Sequence, residues 1–292
     1  MRRLLVIGFG DIAERMVPLT AGRWRVYALV RDARRHALLR ALGVTPVRGD
    51  LDRPHSLAPL AGLAHDVAHL APPPDRGALD TRTAHLIAAL AKGGSLPQHL
   101  VYVSTSGVYG DCGGALVAET RPPRPQTERA RRRADAERQL REWGRRSRVR
   151  VSILRVPGIY AADRLPLARL ERGTPALNPE EDVYVNHVHA DDLARIVVAA
   201  LHRGAPGRVY NAADEAPTRM GDYFDLVAER CGLPRPPRVS RAEADRLVAG
   251  SLRTFMSESR RLVNRRLKEE LRLKLRYPTV LDGISAAARK HG

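Results

Sequence analysis

Short apolar runs alternate with amphipathic stretches over the first half of the chain. The runs predict buried parallel strands at residues 4–7, 25–30, 67–70, 100–104 and 149–154, because strands covered on both faces are apolar at nearly every position. The amphipathic stretches between them predict helices at residues 12–21, 33–42, 79–91 and 128–143. Alternation of this kind over this length predicts a doubly wound, Rossmann-type α/β sheet.

Capping residues stand at the ends of these predicted helices. Asp32 and Thr127 occupy positions suited to an N-cap, where a side-chain oxygen accepts from an unpaired backbone N–H. Glycines suited to helix ends follow the four stretches at Gly22, Gly43, Gly93 and Gly144.

The pattern loosens after residue 156, where four prolines interrupt the chain before a helix at 190–201 and a strand at 208–211. We therefore predict a nucleotide-binding domain at residues 1–156 plus 185–211. A smaller, mostly helical substrate domain is expected at residues 157–184 plus 212–292.

Composition adds a strong basic excess to this picture. The 292 residues include 50 Lys and Arg against 32 Asp and Glu, a formal charge of +18, and only four of the basic residues are lysines. Such charge fits a polyanion partner, but the arginines are dispersed, aromatic residues make up 4%, and no nucleic-acid-binding motif accompanies them. A codon bias towards arginine explains the excess better than nucleic-acid binding.

Neither a disulfide framework nor a membrane segment is expected. Cys112 and Cys231 are the only cysteines, which favours a reducing, cytoplasmic setting. The apolar run that follows Met1 ends at Gly8, and no later run approaches about 18 residues. The scattered His and Cys residues show no metal-ligand spacing.

A glycine motif directly follows the first predicted strand and opens the first predicted helix. It reads Gly8-Phe9-Gly10-Asp11-Ile12-Ala13, the G-x-G-x-x-G/A pattern in the context that dinucleotide binding requires. Gly8 permits a tight turn and Gly10 lets the backbone approach a pyrophosphate. The N–H groups at the start of the helix can then bind the phosphates.

The end of the second strand bears on the choice between NADP and NAD. NAD-binding proteins place an acid about 20 residues past the glycines, but this chain has Arg31 there, which suits a 2′-phosphate. NADP is therefore favoured, with NAD as the alternative if Asp32 binds the ribose after a one-residue shift.

Four more residues follow predicted strands on the nucleotide side. Asp50 and Leu51 follow one further strand, placed after the helix at 33–42, where the carboxylate can accept from an adenine amino group or can serve as a turn residue. Leu70 and Ala71 stand at the end of the strand at 67–70, which is the fourth with that strand included, and supply a small wall near the ribose.

With these features, the chain resembles the extended short-chain dehydrogenase/reductase family, the group of nucleotide-sugar epimerases and dehydratases. The motifs that carry the resemblance come in the family's order over residues 1 to about 230. They are the glycine turn, Gly49-Asp50, Ser104–Gly110, Leu154–Tyr160, Val188–Leu193 and Val209–Ala212.

The resemblance implies a Ser/Thr and a Tyr-x-x-x-Lys pair as the catalytic residues, and the pair is absent. Thr105 matches the Ser/Thr. The Tyr and Lys positions fall on Arg129 and Arg133; no tyrosine lies between Tyr109 and Tyr160, and no lysine between residues 93 and 267. Because arginine stays protonated in proteins, Arg129 cannot exchange a proton near neutral pH, whereas Arg133 can still donate to ribose hydroxyls.

Other side chains are candidates for the missing acid/base. The resemblance places Tyr109, Tyr160, His187 and His189 on loops near the nicotinamide end of the cleft. Tyr109 can equally pack within its own turn, and His189 can bridge its loop to the next helix. Of the four, Tyr109 is our predicted catalytic residue beside Thr105, and Tyr160 and His189 are predicted to contact substrate.

These features predict an NADP-dependent oxidoreductase or epimerase-like enzyme with a non-standard acid/base. Arg129 and Arg133 lie four residues apart on one helix face, which favours a small anionic substrate. A non-catalytic NADP-binding sensor or assembly protein is the alternative. Relatives often form homodimers through the helix at 128–143, but its high charge here leaves the oligomeric state open.

Overall fold

A seven-stranded parallel sheet lies at the centre of the computed structural model, which describes residues 1–248, 250, 253 and 255–288 and side chains as far as residue 285. The strands of this sheet are β1 (Arg2–Ile7), β2 (Trp24–Val30), β3 (Thr45–Arg48), β4 (Asp66–His69), β5 (His99–Thr105), β7 (Arg150–Val156) and β12 (Arg208–Asn211). Their order is β12-β7-β5-β4-β1-β2-β3. The chain thus builds outward from β1 and then reverses direction, as in a doubly wound sheet.

Helices of the described ranges follow the strands or lie in the later part of the chain. They are α1 (Asp11–Thr20), α2 (His36–Ala41), α3 (Thr81–Ala91), α4 (Glu128–Ser147), α5 (Leu167–Glu171), α6 (Ala190–Arg203), α7 (Met220–Cys231), α8 (Arg241–Leu247), α9 (Arg265–Glu269) and α10 (Val280–Ala288).

Helices cover both faces of the sheet. Along β1, Leu4 and Val6 face the core that α1 and α6 complete, whereas Leu5 and Ile7 face the core that α3 and α4 complete. This alternation follows from the two-residue period of a strand and explains why the predicted strands are apolar on both faces. The predicted Rossmann-type α/β class is confirmed.

A third apolar cluster forms the smaller unit beyond the carboxyl ends of the strands. It joins residues between Tyr160 and Ile284, with α7 at its centre. Short paired strands frame this side of the molecule: β6 (Leu116–Val117) with β15 (Arg261–Leu262), β8 (Gly158–Tyr160) with β11 (His187–His189), β9 (Ala176–Leu177) with β14 (Arg238–Val239), and β10 (Tyr184–Val185) with β13 (Thr218–Arg219).

The region around α9 departs from the predicted division. Residues 212–292 were assigned to the smaller unit, but Leu267, Leu271, Leu273 and Leu275 pack in the sheet core beside α1 and α6.

No helix in the described ranges is long and apolar enough to cross a membrane.

The helix caps agree with the sequence in part. Asp32 accepts from Arg34 N, and Thr127 accepts from Ala130 N, so both predicted N-caps are confirmed. The prediction of Gly144 as a helix end is wrong, because α4 continues to Ser147 and its C-cap, Arg148, adopts φ 56°. Gly144 instead lets α4 approach the sheet, since an added Cβ would lie 2.7 Å from Val151 Cγ2.

A buried ion pair attaches α4 to the sheet. Glu137 Oε2 lies 2.7 Å from Arg155 Nη2 of β7, and Oε1 accepts from Ser104 Oγ of β5 at 2.6 Å. Both charged side chains are less than 5% exposed. Removing one partner of such a pair leaves the other charge buried without compensation.

We therefore expect Glu137→Gln to lower the free energy of unfolding by about 3 kcal/mol or more in urea titrations. Glu142→Gln is the control on the same helix, because Glu142 pairs with Arg138 at the surface. It should cost less than about 1 kcal/mol. Equal losses in the two variants would show that the pair does not attach α4 to the sheet.

Candidate functional site

The glycine turn leaves space for a dinucleotide at the carboxyl end of β1. Gly8 has φ +89°, and an added Cβ would lie 2.5 Å from Ala71 N, so only glycine fits there. Nothing lies within 4 Å of a Cβ built on Gly10, so the backbone at this point borders open space.

The N-terminus of α1 opens onto the same space. No side chain caps it, so its first N–H groups can bind phosphate oxygens. The carboxylate of Asp11 is turned to arginines: it lies 2.7 Å from Arg15 Nε and 2.7 Å from Arg164 Nη1. These contacts offset a negative charge that would otherwise oppose phosphate binding.

A cavity of about 440 Å³ lies where the resemblance places the adenine and its ribose. It is bordered by predicted cofactor residues: Gly8, Phe9, Gly10, Arg31, Asp50, Leu51, Leu70 and Ala71. Asp50 also serves the turn, because its Oδ1 accepts from Asp52 N at 3.0 Å. A nicotinamide dinucleotide fits this donor set and this backbone cradle.

A second cavity continues from the glycine turn to the other end of the cleft. Its walls include Asp11, Ile12, Thr105, Arg129 and Arg133, so the structure brings these predicted residues together. Thr105 Oγ1 accepts from Gly107 N at 3.2 Å, which leaves its own hydroxyl hydrogen free to donate into the cavity.

The two arginines that stand at the Tyr and Lys positions of the family's catalytic pair have different surroundings. Arg133 is buried, and its Nη1 donates to the carbonyl oxygens of Val103 at 2.7 Å and Ala71 at 3.3 Å. Arg129 pairs with no carboxylate in the described part of the chain. Burial and the neighbouring charges of Arg133 and Arg132 lower the pKa of Arg129.

A third cavity, of about 550 Å³, opens beyond Thr105 and Arg129. It shares Thr105, Arg129 and Arg164 with the cleft and runs between the sheet and the smaller unit. Among the described residues, four arginines and one carboxylate, that of Glu258, border it. The cavity therefore adjoins the end of the cleft where the resemblance places the nicotinamide.

Tyr109 requires a correction. Its side chain is 1% exposed, its hydroxyl donates to Asn211 Oδ1 at 2.8 Å, and the guanidinium of Arg155 lies over its ring. It borders none of the three cavities of the cleft. The structure therefore places the predicted acid/base in the core, where it packs within its turn.

Tyr160 and His189 also lie outside the three cavities. Tyr160 is 1% exposed and donates to Thr279 O at 3.1 Å. His189 is the N-cap of α6, where its Nδ1 accepts from Asp191 N, and its ring packs on Tyr277. The prediction that Tyr160 and His189 contact substrate is therefore corrected. Both side chains are buried and hydrogen-bonded within the fold, so their roles are structural.

His187 borders the third cavity, and three further side chains there went unpredicted. Arg169, Glu258 and Arg260 come from segments with no recognisable motif. Glu258 lies between two serines, and the neighbours of Arg169 and Arg260 follow no pattern that would single these arginines out from the others of the chain. The fold, rather than local sequence, brings them to one cavity.

The comparisons with known proteins agree with this geometry. A family model described as NAD(P)H-binding matches residues 8–204, about two thirds of the chain. The chain belongs to this NAD(P)H-binding family. Among curated proteins, no sequence matches it significantly.

Solved structures share the fold over nearly the whole length. A conserved protein of unknown function from Silicibacter pomeroyi is 29% identical, with a TM-score of 0.80 and 99% of each chain covered. The NAD complex of dTDP-glucose 4,6-dehydratase from Bacillus anthracis is 16% identical, with a TM-score of 0.79 and coverage of 99% of this chain and 96% of that one. The NAD complex of UDP-glucuronic acid 4-epimerase from Bacillus cereus is 17% identical, with a TM-score of 0.76 and coverage of 98% and 96%. The chain therefore shares the fold of these two NAD-bound enzymes.

The buried histidine of the third cavity leads to a pH prediction. Burial lowers the pKa of His187 from 6.5 to about 4. The unfolded chain therefore binds a proton between pH 6.5 and 4 that the folded chain does not. The contribution of His187 to the free energy of unfolding is therefore fully present above pH 6.5. It is lost as the pH falls from 6.5 to 4, by up to about 1.4 kcal/mol per pH unit.

We expect His187→Gln to flatten the fall in unfolding free energy between pH 6.5 and 4, measured by urea unfolding at several pH values. His55→Gln, at an exposed histidine, is the control and should keep the slope of the unmodified protein. An unchanged slope in His187→Gln would contradict the burial effect.

Proposed function

We propose that this protein is an NADP-dependent oxidoreductase or epimerase-like enzyme that acts on a small anionic substrate. The proposal rests on one observation, which is that the dinucleotide cleft and the 550 Å³ cavity are adjacent and share residues. The dinucleotide cleft and the 550 Å³ cavity share Thr105, Arg129 and Arg164, so a substrate in the cavity meets the cofactor at these residues. A cavity of this size is typical for small molecules.

The charge of the cavity supports an anionic substrate. Arg164 pairs with Asp11 and Arg260 pairs with Glu258. Arg129 and Arg169 have no carboxylate within ion-pair distance among the described residues. Burial lowers the pKa of Arg169 to about 10, so the group still carries its charge at neutral pH. Two guanidinium groups without counter-charges favour a carboxylate or phosphate ligand.

The chemistry assigns separate roles to Thr105 and Arg129. A bound nicotinamide cofactor supplies hydride exchange with a carbon atom of the substrate. Arg129 does not transfer a proton, but its fixed charge stabilises negative charge on the substrate oxygen. Thr105 donates a hydrogen bond to that oxygen. When a carbonyl is reduced, the proton that completes the alcohol then comes from water in the open cavity.

The surroundings of Arg31 support NADP as the cofactor. Asp32, the residue that could bind a ribose instead, caps its own turn and lies 2.9 Å from Arg34 Nη2. Arg31 borders the ribose end of the cleft and pairs with no carboxylate in the described ranges. A 2′-phosphate would give it a counter-charge.

A non-catalytic NADP-binding protein is the second candidate. The observation that favours it is the burial of Tyr109, Tyr160 and His189, which removes three acid/base candidates from the cleft. Turnover distinguishes the two functions.

For the cofactor, we expect the unmodified protein to bind NADP more tightly than NAD in calorimetric titrations. Arg31→Ala should weaken NADP binding about tenfold or more and leave NAD binding unchanged, because one charged hydrogen-bond partner of the phosphate is lost. Arg40→Ala, an exposed arginine that does not border the cleft, is the control. Tighter binding of NAD, or an unchanged preference in Arg31→Ala, would overturn the assignment.

For catalysis, we expect slow oxidation of NADPH in the presence of small oxo acids, followed by absorbance. Arg129→Gln should lower kcat/KM about 100-fold, the usual scale for losing a group that stabilises an oxyanion. Arg131→Gln, whose side chain is exposed on α4, is the control and should keep the activity. Saturable NADPH binding with no turnover would instead establish the non-catalytic function.

A further inference from the structure

Three buried polar side chains at the wall of the 550 Å³ cavity each have an atom without a hydrogen-bond partner. They are Arg169 at Nε, His187 at Nδ1 and Glu258 at Oε1. The three residues are 8%, 7% and 6% exposed. Unpaired buried polar atoms are rare in native proteins because each carries an uncompensated desolvation cost. Three at one cavity indicate a ligand that completes their hydrogen bonds.

Glu258 is held rigidly in this position. Its Oε2 accepts from Arg260 Nη1 at 2.8 Å, and the same nitrogen donates to Gly110 O at 2.6 Å. The next residue, Ser259, accepts from Gly114 N at 3.0 Å through its carbonyl oxygen. One carboxylate oxygen of Glu258 is thus used by the protein and the other is left as an acceptor.

The partner of Glu258 must be a neutral donor. Three more arginines border the cavity besides Arg260, and Asp11 offsets only that of Arg164. The net charge of the cavity is therefore positive, which opposes an ammonium group on the ligand. A hydroxyl group donates a hydrogen bond without adding charge.

The remaining wall accommodates an apolar body. The ring of His187 lies 4.1 Å from that of Tyr223, and the guanidinium of Arg169 lies 3.7 Å from the ring of Phe224. Met220 and Ile159 continue this surface. A ligand with a short carbon skeleton would pack here while its polar groups meet the arginine and the carboxylate.

We propose that Glu258 is a specificity-determining residue that accepts a hydrogen bond from a substrate hydroxyl, and that the substrate is a small hydroxy acid whose anionic group binds Arg169. This inference rests on the proposed function and narrows it from an anionic substrate to a hydroxylated one.

The test compares hexanoate with its 2-, 3-, 4-, 5- and 6-hydroxy derivatives, bound to the protein saturated with NADPH and measured by calorimetry. These alcohols are not reduced by NADPH, so binding is read without turnover. At least one derivative should bind tenfold or more tightly than hexanoate, because it completes a hydrogen bond to a buried carboxylate. If no derivative binds at least tenfold more tightly than hexanoate, the inference is overturned.

Glu258→Gln tests the residue itself. Arg260 donates to one oxygen of Glu258, so the glutamine oxygen would stay with Arg260 and its NH2 group would face the cavity. The variant should lose most of the hydroxyl preference, because a neutral NH2 group forms a weaker hydrogen bond with the hydroxyl than a carboxylate does, and it should bind hexanoate at least as tightly as before, because a negative charge is removed. Arg169→Gln should weaken hexanoate and the derivatives by the same factor. Glu171→Gln, an exposed residue of α5, is the control.

An undiminished preference in Glu258→Gln overturns the inference, and NADPH affinity shows whether the variant is folded. If it does not fold, the comparison of ligands on the unmodified protein still decides. Failure of the proposed function gives a different result. If the protein prefers a hydroxylated ligand but turns over no oxo acid, the inference about Glu258 stands and the proposed enzymatic function is wrong. If it turns over an oxo acid but shows no hydroxyl preference, only the inference about Glu258 is wrong.

Discussion

Buried polar contacts from one helix determine where the cleft lies. Glu137 of α4 binds Arg155 of β7 and Ser104 of β5, and Arg133, one turn earlier, donates to carbonyl oxygens at the ends of β4 and β5. Backbone carbonyls and charges buried at this depth must find partners, so the helix has little freedom to shift along the sheet. Its first turn, which carries Arg129, is thereby fixed beside Thr105. Both the dinucleotide cleft and the 550 Å³ cavity depend on this placement.

At this position α4 carries fixed positive charges instead of side chains that can transfer a proton. The resemblance expects a tyrosine and a lysine on the inner face of α4, and this chain has two arginines there. Arg133 supports the fold through the carbonyl groups it binds, whereas Arg129 has no carboxylate partner among the described residues. An arginine stabilises an anion but does not exchange protons at neutral pH. The proposed chemistry therefore relies on electrostatic stabilisation, on the Thr105 hydroxyl and on water.

Sequence reasoning succeeded for the NAD(P)H-binding site and failed for the proton donor, and the same physical reason explains both outcomes. The glycine motif specifies backbone geometry, which is local: Gly8 and Gly10 must stand where they do for the turn to form. Tyr109, Tyr160 and His189 were selected by residue type and by position in motifs. Whether such a side chain faces a cavity or the core depends on residues distant in sequence, such as Asn211 for Tyr109 and Thr279 for Tyr160.

The sequence by itself determined the Rossmann-type sheet, the dinucleotide site and the lack of a Tyr-Lys pair, because periodicity, turn geometry and composition are properties of short segments. The tertiary structure alone decided which polar groups border the 550 Å³ cavity. Arg169, His187 and Glu258 come from three segments separated by up to 89 positions and carry no shared motif. Only the packing of the smaller unit onto the carboxyl ends of the strands brings them to one cavity. Long-range contacts of this kind have no local signature, since any arginine or glutamate of a strongly charged chain could have made them.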